Sequence, residues 1–125
     1  GEFVAQQARK GAEIISIITN DGWWQDTPGY KQHMSFARLR AVENRRSVAR
    51  SANTGTSAFI NQRGDVLQET SWWKPEVLSA KLNKNKELTV YSQHGDMLGR
   101  SFTFVSDLLL LFTFVKRFKK KFGVK

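Results

Sequence analysis

The spacing of apolar and polar positions divides the chain into successive elements. Phe3-Val4-Ala5-Gln6-Gln7-Ala8-Arg9-Lys10 predicts a helix, with cations in its last turn and Gly11 past its end. Glu13-Ile14-Ile15-Ser16-Ile17-Ile18-Thr19 is an almost continuous β-branched run, too short for a buried helix. It reads as a strand of a parallel sheet, covered on both faces. Asn20 to Gly29 has loop composition, and Tyr30 to Arg46 reads as a long helix. In that helix Met34, Ala37 and Ala41, with Leu39 and Val42, supply a buried stripe. Ser47 to Ala52 predicts a strand, Thr56 to Ile60 and Asp65 to Thr70 a hairpin around Asn61-Gln62-Arg63-Gly64, and Val77 to Leu82 one more strand. Strand, helix and then antiparallel strands give an α/β layered fold. A helix that feeds a buried strand is half of a βαβ unit, so this order implies an upstream strand as partner.

The last segment differs in kind. Ser101 to Val115 is apolar except for Ser101, Thr103, Ser106, Asp107 and Thr113. As a helix it is about 22 Å long, short of a bilayer's roughly 30 Å of hydrocarbon. Extension to Met97 and Phe118 closes the gap if Arg100 and Lys116 snorkel to the headgroups. Thr103, Ser106, Asp107 and Thr113 then share one side, as expected of a membrane helix facing other helices. The competing reading is an amphipathic helix lying on a surface.

Charge sharpens this picture. The chain has 125 residues, a net charge of +9 and no cysteine. Lys116, Arg117, Lys119, Lys120, Lys121 and Lys125 supply six of those charges without a neighbouring acid, so most of the basicity is a tail. Such a cluster holds a spanning helix with this end in the cytoplasm. A nucleic-acid-binding fold would carry its cations on the body, and the aromatics here do not interleave with Arg38, Arg40, Arg45, Arg46 and Arg50 as a stacking platform requires. Nucleic acid is therefore not an expected partner. The first methionine is Met34, which reads as a processed chain or a piece of a longer one.

Candidate chemistry is sparse. There is no nucleophile elbow, phosphate loop or paired-histidine zinc motif, so no metal or cofactor is expected. His33, near a helix start, reads as a hydrogen-bonded structural residue, and His94 as an exposed loop residue. Arg40 and Glu43 are spaced to pair on the helix. The best candidate surface is the loop Asn20-Asp21-Gly22-Trp23-Trp24, which leaves the carboxyl end of a strand, where open α/β sheets bind ligands. Its adjacent tryptophans either pack beneath the loop or line an apolar pocket. Trp72-Trp73 poses the same choice, with packing the simpler account.

Ile17-Ile18-Thr19-Asn20-Asp21-Gly22-Trp23-Trp24, Gln32-His33, Ala37-Arg38-Leu39-Arg40-Ala41-Val42-Glu43-Asn44, Arg50-Ser51-Ala52-Asn53-Thr54-Gly55 and Gly64-Asp65 together resemble the carboxyl-terminal part of the nitrilase (carbon–nitrogen hydrolase) superfamily. Within it the likeness is to the apolipoprotein N-acyltransferase branch. It is dense from Gly11 to Glu69, looser through Gln93-His94-Gly95-Asp96, and resumes in the final apolar segment and basic end. The resemblance implies part of a nitrilase-like αββα sandwich over residues 1–96, a transmembrane helix over 97–118 and a basic cytoplasmic tail over 119–125. It implies a multi-pass enzyme of the bacterial inner membrane, with its nitrilase-like part periplasmic. A Glu-Lys-Cys triad there passes an acyl chain from a phospholipid donor, through a cysteine thioester, to the diacylglyceryl-cysteine of an apolipoprotein acceptor. The triad would lie in an upstream part of the same enzyme, so this piece alone would be inactive. Asn20, Asp21, Trp23 and Trp24 are carried over as the loop beside the acyl-cysteine site. His33, Arg38, Arg40, Glu43, Asn53 and Gly55 are carried over as supporting structure. The branch often has Phe then Gly after the first tryptophan, where this chain has Trp24-Gln25; this alters the pocket's shape and not its location. The alternative is a fragment of an amidase- or nitrilase-type hydrolase with an unrelated tail.

Overall fold

A computed structural model describes residues 1–122, with side chains to Lys119; residues 123–125, the end of the expected basic tail, lie outside the described residues. Two compact units divide at Gly95/Asp96. In the first, α1 (Glu2–Arg9) leads to β1 (Ile14–Thr19), and Gly11 makes the reversal at φ +96°. α2 (Pro28–Asn44) then connects β1 to β2 (Ser47–Ala52), which lies parallel to it with Ile17 opposite Arg50. β3 (Ala58–Ile60) and β4 (Val66–Glu69) continue antiparallel, giving the sheet order β1-β2-β3-β4.

The boundaries of α2 have local causes. Thr27 caps its start by accepting from the Gly29 amide, and Pro28, which has no amide hydrogen to lose, occupies the first turn. At the other end Arg45 turns left-handed at φ +51°, and the Arg46 amide returns to the Ala41 carbonyl. Met34, Ala37 and Ala41 pack with Val48, Ala58 and Ile60 in one core, flanked by Ile15, Ile17 and Val66. Alanine at 37 and 41 lets α2 lie close to the sheet. Leu39 and Val42, expected in the buried stripe, are instead more than 40% exposed. At 100° per residue Leu39 falls opposite the Met34–Ala37–Ala41 line and Val42 to its side, so the small contact face of α2 does not extend to them.

Two strand expectations need correction. β1 is not covered on both faces among the described residues: it is the sheet's edge, and Ile18 is 88% exposed. A run of isoleucines lacks the alternation that separates a covered face from a bare one. Residues 77–82 form no strand, and Val77 is 97% exposed. The chain beyond them is held by side chains donating to its backbone, not by a sheet ladder. Ser47 Oγ reaches the Asn83 carbonyl at 2.9 Å, and Arg46 Nη1 reaches that of Glu87 at 2.8 Å. Arg46 is fully buried and also donates through Nε to the Ala12 carbonyl at 2.8 Å; burial lowers its pKa, partly opposed by Glu13. This clamp leads into the short helix α3 (Val90–His94), which includes His94, expected in a loop. Thr89 caps α3, and Ser92 Oγ donates to Asn44 Oδ1 at the end of α2. His94 closes α3 and is exposed.

The second unit is the helix α4 (Met97–Phe122). Met97–Lys119 is long and apolar enough to cross a membrane, at 23 residues and a mean hydropathy of 1.5.

Ile60→Ala removes a fully buried side chain from the middle of the core. It is expected to lower the unfolding free energy by about 2–5 kcal/mol, read from urea titration of the detergent-solubilised protein.

Candidate functional site

The loop at the carboxyl end of β1 is held from below. Asn20 Oδ1 accepts from the Gly22 amide at 2.9 Å and bends the chain as it leaves the strand. Asp21 then turns inward and is fully buried. Its two oxygens lie 2.9 and 2.8 Å from Arg50 Nη2, and Oδ1 is 2.9 Å from His33 Nδ1. Arg50 is itself buried, and its Nη1 donates to the Thr56 carbonyl. Three elements therefore meet at one carboxylate: the loop after β1, α2 through His33, and β2 through Arg50. The pairing of Ile17 with Arg50 sets Arg50 beside β1, within reach of the loop that follows that strand.

Gly55 completes the enclosure. A Cβ there would lie 2.0 Å from Asp21 Oδ2, so any side chain at this position displaces the carboxylate. Asn53 shapes the same turn, its Oδ1 accepting from the Thr54 amide at 2.8 Å while its own amide bonds the Thr19 carbonyl. His33 and Gly55 thus border Asp21, and Asn53 shapes the turn that carries Gly55. Arg38 lies elsewhere, donating to the Gly64 carbonyl at 2.8 Å and bracing the β3–β4 turn. Arg40 and Glu43 form the expected pair at 3.0 Å.

Once Asp21 is fixed, the next residues are pushed outward. Gly22–Trp24 forms a single 3-10 turn, with the Trp24 amide donating to the Asp21 carbonyl. Neither tryptophan packs into the core. Trp23 is 84% exposed; Trp24 is about half exposed and lies against Gly29, its ring tilted over His33. The second pair divides: Trp72 stacks on the buried Tyr30 at 4.3 Å between centroids, while Trp73 is exposed. Gln25, which follows Trp24, has φ +49° and ψ −161°. Glycine alone adopts that combination without cost, so the loop is strained here.

Beside this loop a cleft of about 450 Å³ is lined by Gly1, Ile17, His33, Phe36, Arg40 and Arg50. It joins an apolar floor to three basic or imidazole side chains. Arg50, which sequence reasoning placed within a family segment without a role, is the buried partner of Asp21; a lone arginine between Ala49 and Ser51 in a short strand was its signal. Among the described residues no cluster of histidine, aspartate and glutamate could hold a metal ion.

Comparison with known proteins places this geometry in context. The carbon-nitrogen hydrolase family profile matches residues 1–87. The chain is 36% identical over 114 residues to the apolipoprotein N-acyltransferase of Chlorobaculum tepidum, covering 91% of this chain and 21% of that protein. It is 38% identical over 120 residues to apolipoprotein N-acyltransferase 1 of Treponema denticola, covering 94% and 22%. Over 74 residues it is 45% identical to the enzyme of that name from Agrobacterium fabrum, covering 59% and 14%. The chain thus spans about a fifth of the length of these relatives.

Gly55→Ala is expected to break the Asp21–Arg50 pair and cost about 3–5 kcal/mol, as for other buried pairs that lose a partner. Gln25→Gly is expected to add about 1 kcal/mol by relieving the strained backbone. Urea titration of both variants against the parent, followed by tryptophan emission, measures the two opposite shifts.

Proposed function

The chain belongs to the carbon-nitrogen hydrolase family, and from that premise we propose that it is the carboxyl-terminal part of a membrane N-acyltransferase acting on lipoproteins. The parent enzyme moves an acyl chain from a phospholipid to the amino group of an apolipoprotein's diacylglyceryl-cysteine. In the first step a cysteine thiolate attacks the donor's ester carbonyl. The carbon–oxygen bond breaks, the lysophospholipid leaves with a proton from the acid form of the base, and a thioester remains. In the second step the acceptor amine attacks that thioester, the amide forms, and the thiolate is released as the amine proton passes to the carboxylate base. This chain holds no cysteine, so the nucleophile belongs to a part of the enzyme outside these 125 residues, and the reading assigns the triad's glutamate and lysine to that same part.

The contribution of this piece is structural and apolar. The observation that carries the reading is the outward presentation of Trp23, 84% exposed, on a loop whose base is a buried ion pair. Exposing an indole to water is unfavourable, and a rigid base keeps it from folding back onto the core. An indole so placed can contact an acyl chain, with Trp24 beside it and Asn20 shaping the loop; Asp21 positions both rings from beneath. Residues 1–96 form the end of the nitrilase-like domain on the periplasmic side. Residues 97–118 cross the inner membrane, and the basic residues of 119–125 hold the end in the cytoplasm.

Trp23→Ala in the full-length enzyme is expected to slow acyl-enzyme formation from phospholipid roughly tenfold, equivalent to about 1.4 kcal/mol of lost acyl-chain contact. Mass spectrometry of the thioester over time measures it. An unchanged rate would remove Trp23 from the acyl path.

A further inference from the structure

α4 carries an acidic group with no partner of its own among the described residues. Thr103 Oγ1 donates to the Gly99 carbonyl and Thr113 Oγ1 to that of Leu110, each at 2.8 Å, so these hydroxyls are paired within their own helix. Asp107 accepts no hydrogen bond among the described residues and is exposed. It stands ten residues after Met97 and twelve before Lys119, about 15 and 18 Å along the axis from either end. In a spanning helix that is the bilayer midplane, and an aspartate side chain is too short to reach either headgroup layer. Arg100 and Arg117 are about 10 and 15 Å away along the axis.

Asp107 is also placed for contact with a neighbour. Gly99, Thr103, Ser106 and Thr113 lie on its side of the helix at 100° per residue, the small and hydroxylated residues that let helices approach closely in lipid. A groove of about 500 Å³ runs along α4 from Asp107 past Leu110 and Phe114 to Arg117. Ionisable groups at this depth face other protein and are paired there. A parallel second copy of α4 would set one Asp107 carboxylate against another, so charge complementarity selects a different helix.

We propose that Asp107 docks α4 onto another transmembrane helix of the same enzyme, one that presents a lysine or arginine at the bilayer midplane. The proposal rests on the membrane-spanning reading given above. It assigns α4 a second task beside anchoring: its ion pair fixes where the helix joins the membrane part, and hence where the chain before it is held.

The test uses the full-length enzyme in bacterial membranes. Wild type, Asp107→Leu, Asp107→Asn and Asp107→Lys are compared for resistance to alkaline carbonate extraction and for folded yield by size-exclusion chromatography in mild detergent. The proposal expects all four to resist carbonate, with folded yield falling about tenfold in Asp107→Leu and further in Asp107→Lys. A single Lys→Asp or Arg→Asp change in another membrane helix should restore Asp107→Lys and no other variant. Full yield for Asp107→Leu with carbonate resistance intact would overturn the ion pair and leave the spanning reading standing, as would failure of every acidic substitution to rescue Asp107→Lys. Release of the wild type by carbonate would overturn both.

Discussion

A buried carboxylate organises the amino-terminal unit. Asp21 gives up water completely, and that loss is compensated only if Arg50, His33 and the space left by Gly55 are all in place. Those residues come from α2, β2 and the turn after β2, so the pair forms only once β1 and β2 lie parallel with α2 packed across them. The interaction adds little net stability over an apolar substitute of the same shape. Its value is geometric, since an unpaired carboxylate or guanidinium in that position would be far more costly than any alternative loop path.

Everything exposed at this end of the sheet follows from that constraint. Asp21 turned inward leaves Gly22 to Trp24 a single tight turn and directs the indoles away from the core. Gln25 then reverses the chain in a conformation suited to glycine so that Thr27 can cap α2. The strain at Gln25 and the exposure of Trp23 are two costs of one loop, each tolerated because the base beneath does not move. Functional surfaces commonly concentrate such costs on a loop carried by a rigid scaffold.

The opposite end of α2 solves a similar problem with backbone acceptors. Arg46, fully buried, donates through Nε and Nη1 to carbonyls of Ala12, Asn44 and Glu87 and, with Ser47, holds residues 83–87. Asn44, Ser92 and Thr89 extend the tie to α3. The chain just beyond residues 77–82, which form no strand, is secured by guanidinium and hydroxyl donors that a hydropathy pattern does not register.

Local pattern by itself determined the elements whose causes are local. The β-branched run at 14–19, the helical stretch from Tyr30, the glycine turn at 61–64 and the apolar stretch from Met97 each carry their reason within a few residues. The motif around Asn20 to Trp24, with its companions, likewise marked the family. Tertiary structure alone decided which side of that loop faces inward, because burial of Asp21 depends on Arg50 twenty-nine residues away and on a missing Cβ at Gly55. It also decided that Leu39, Val42 and Ile18 stay exposed, since exposure is set by what packs against a position and not by its own hydropathy. Short-range spacing specifies elements; the long-range pairing of charge and the space between elements specify the site.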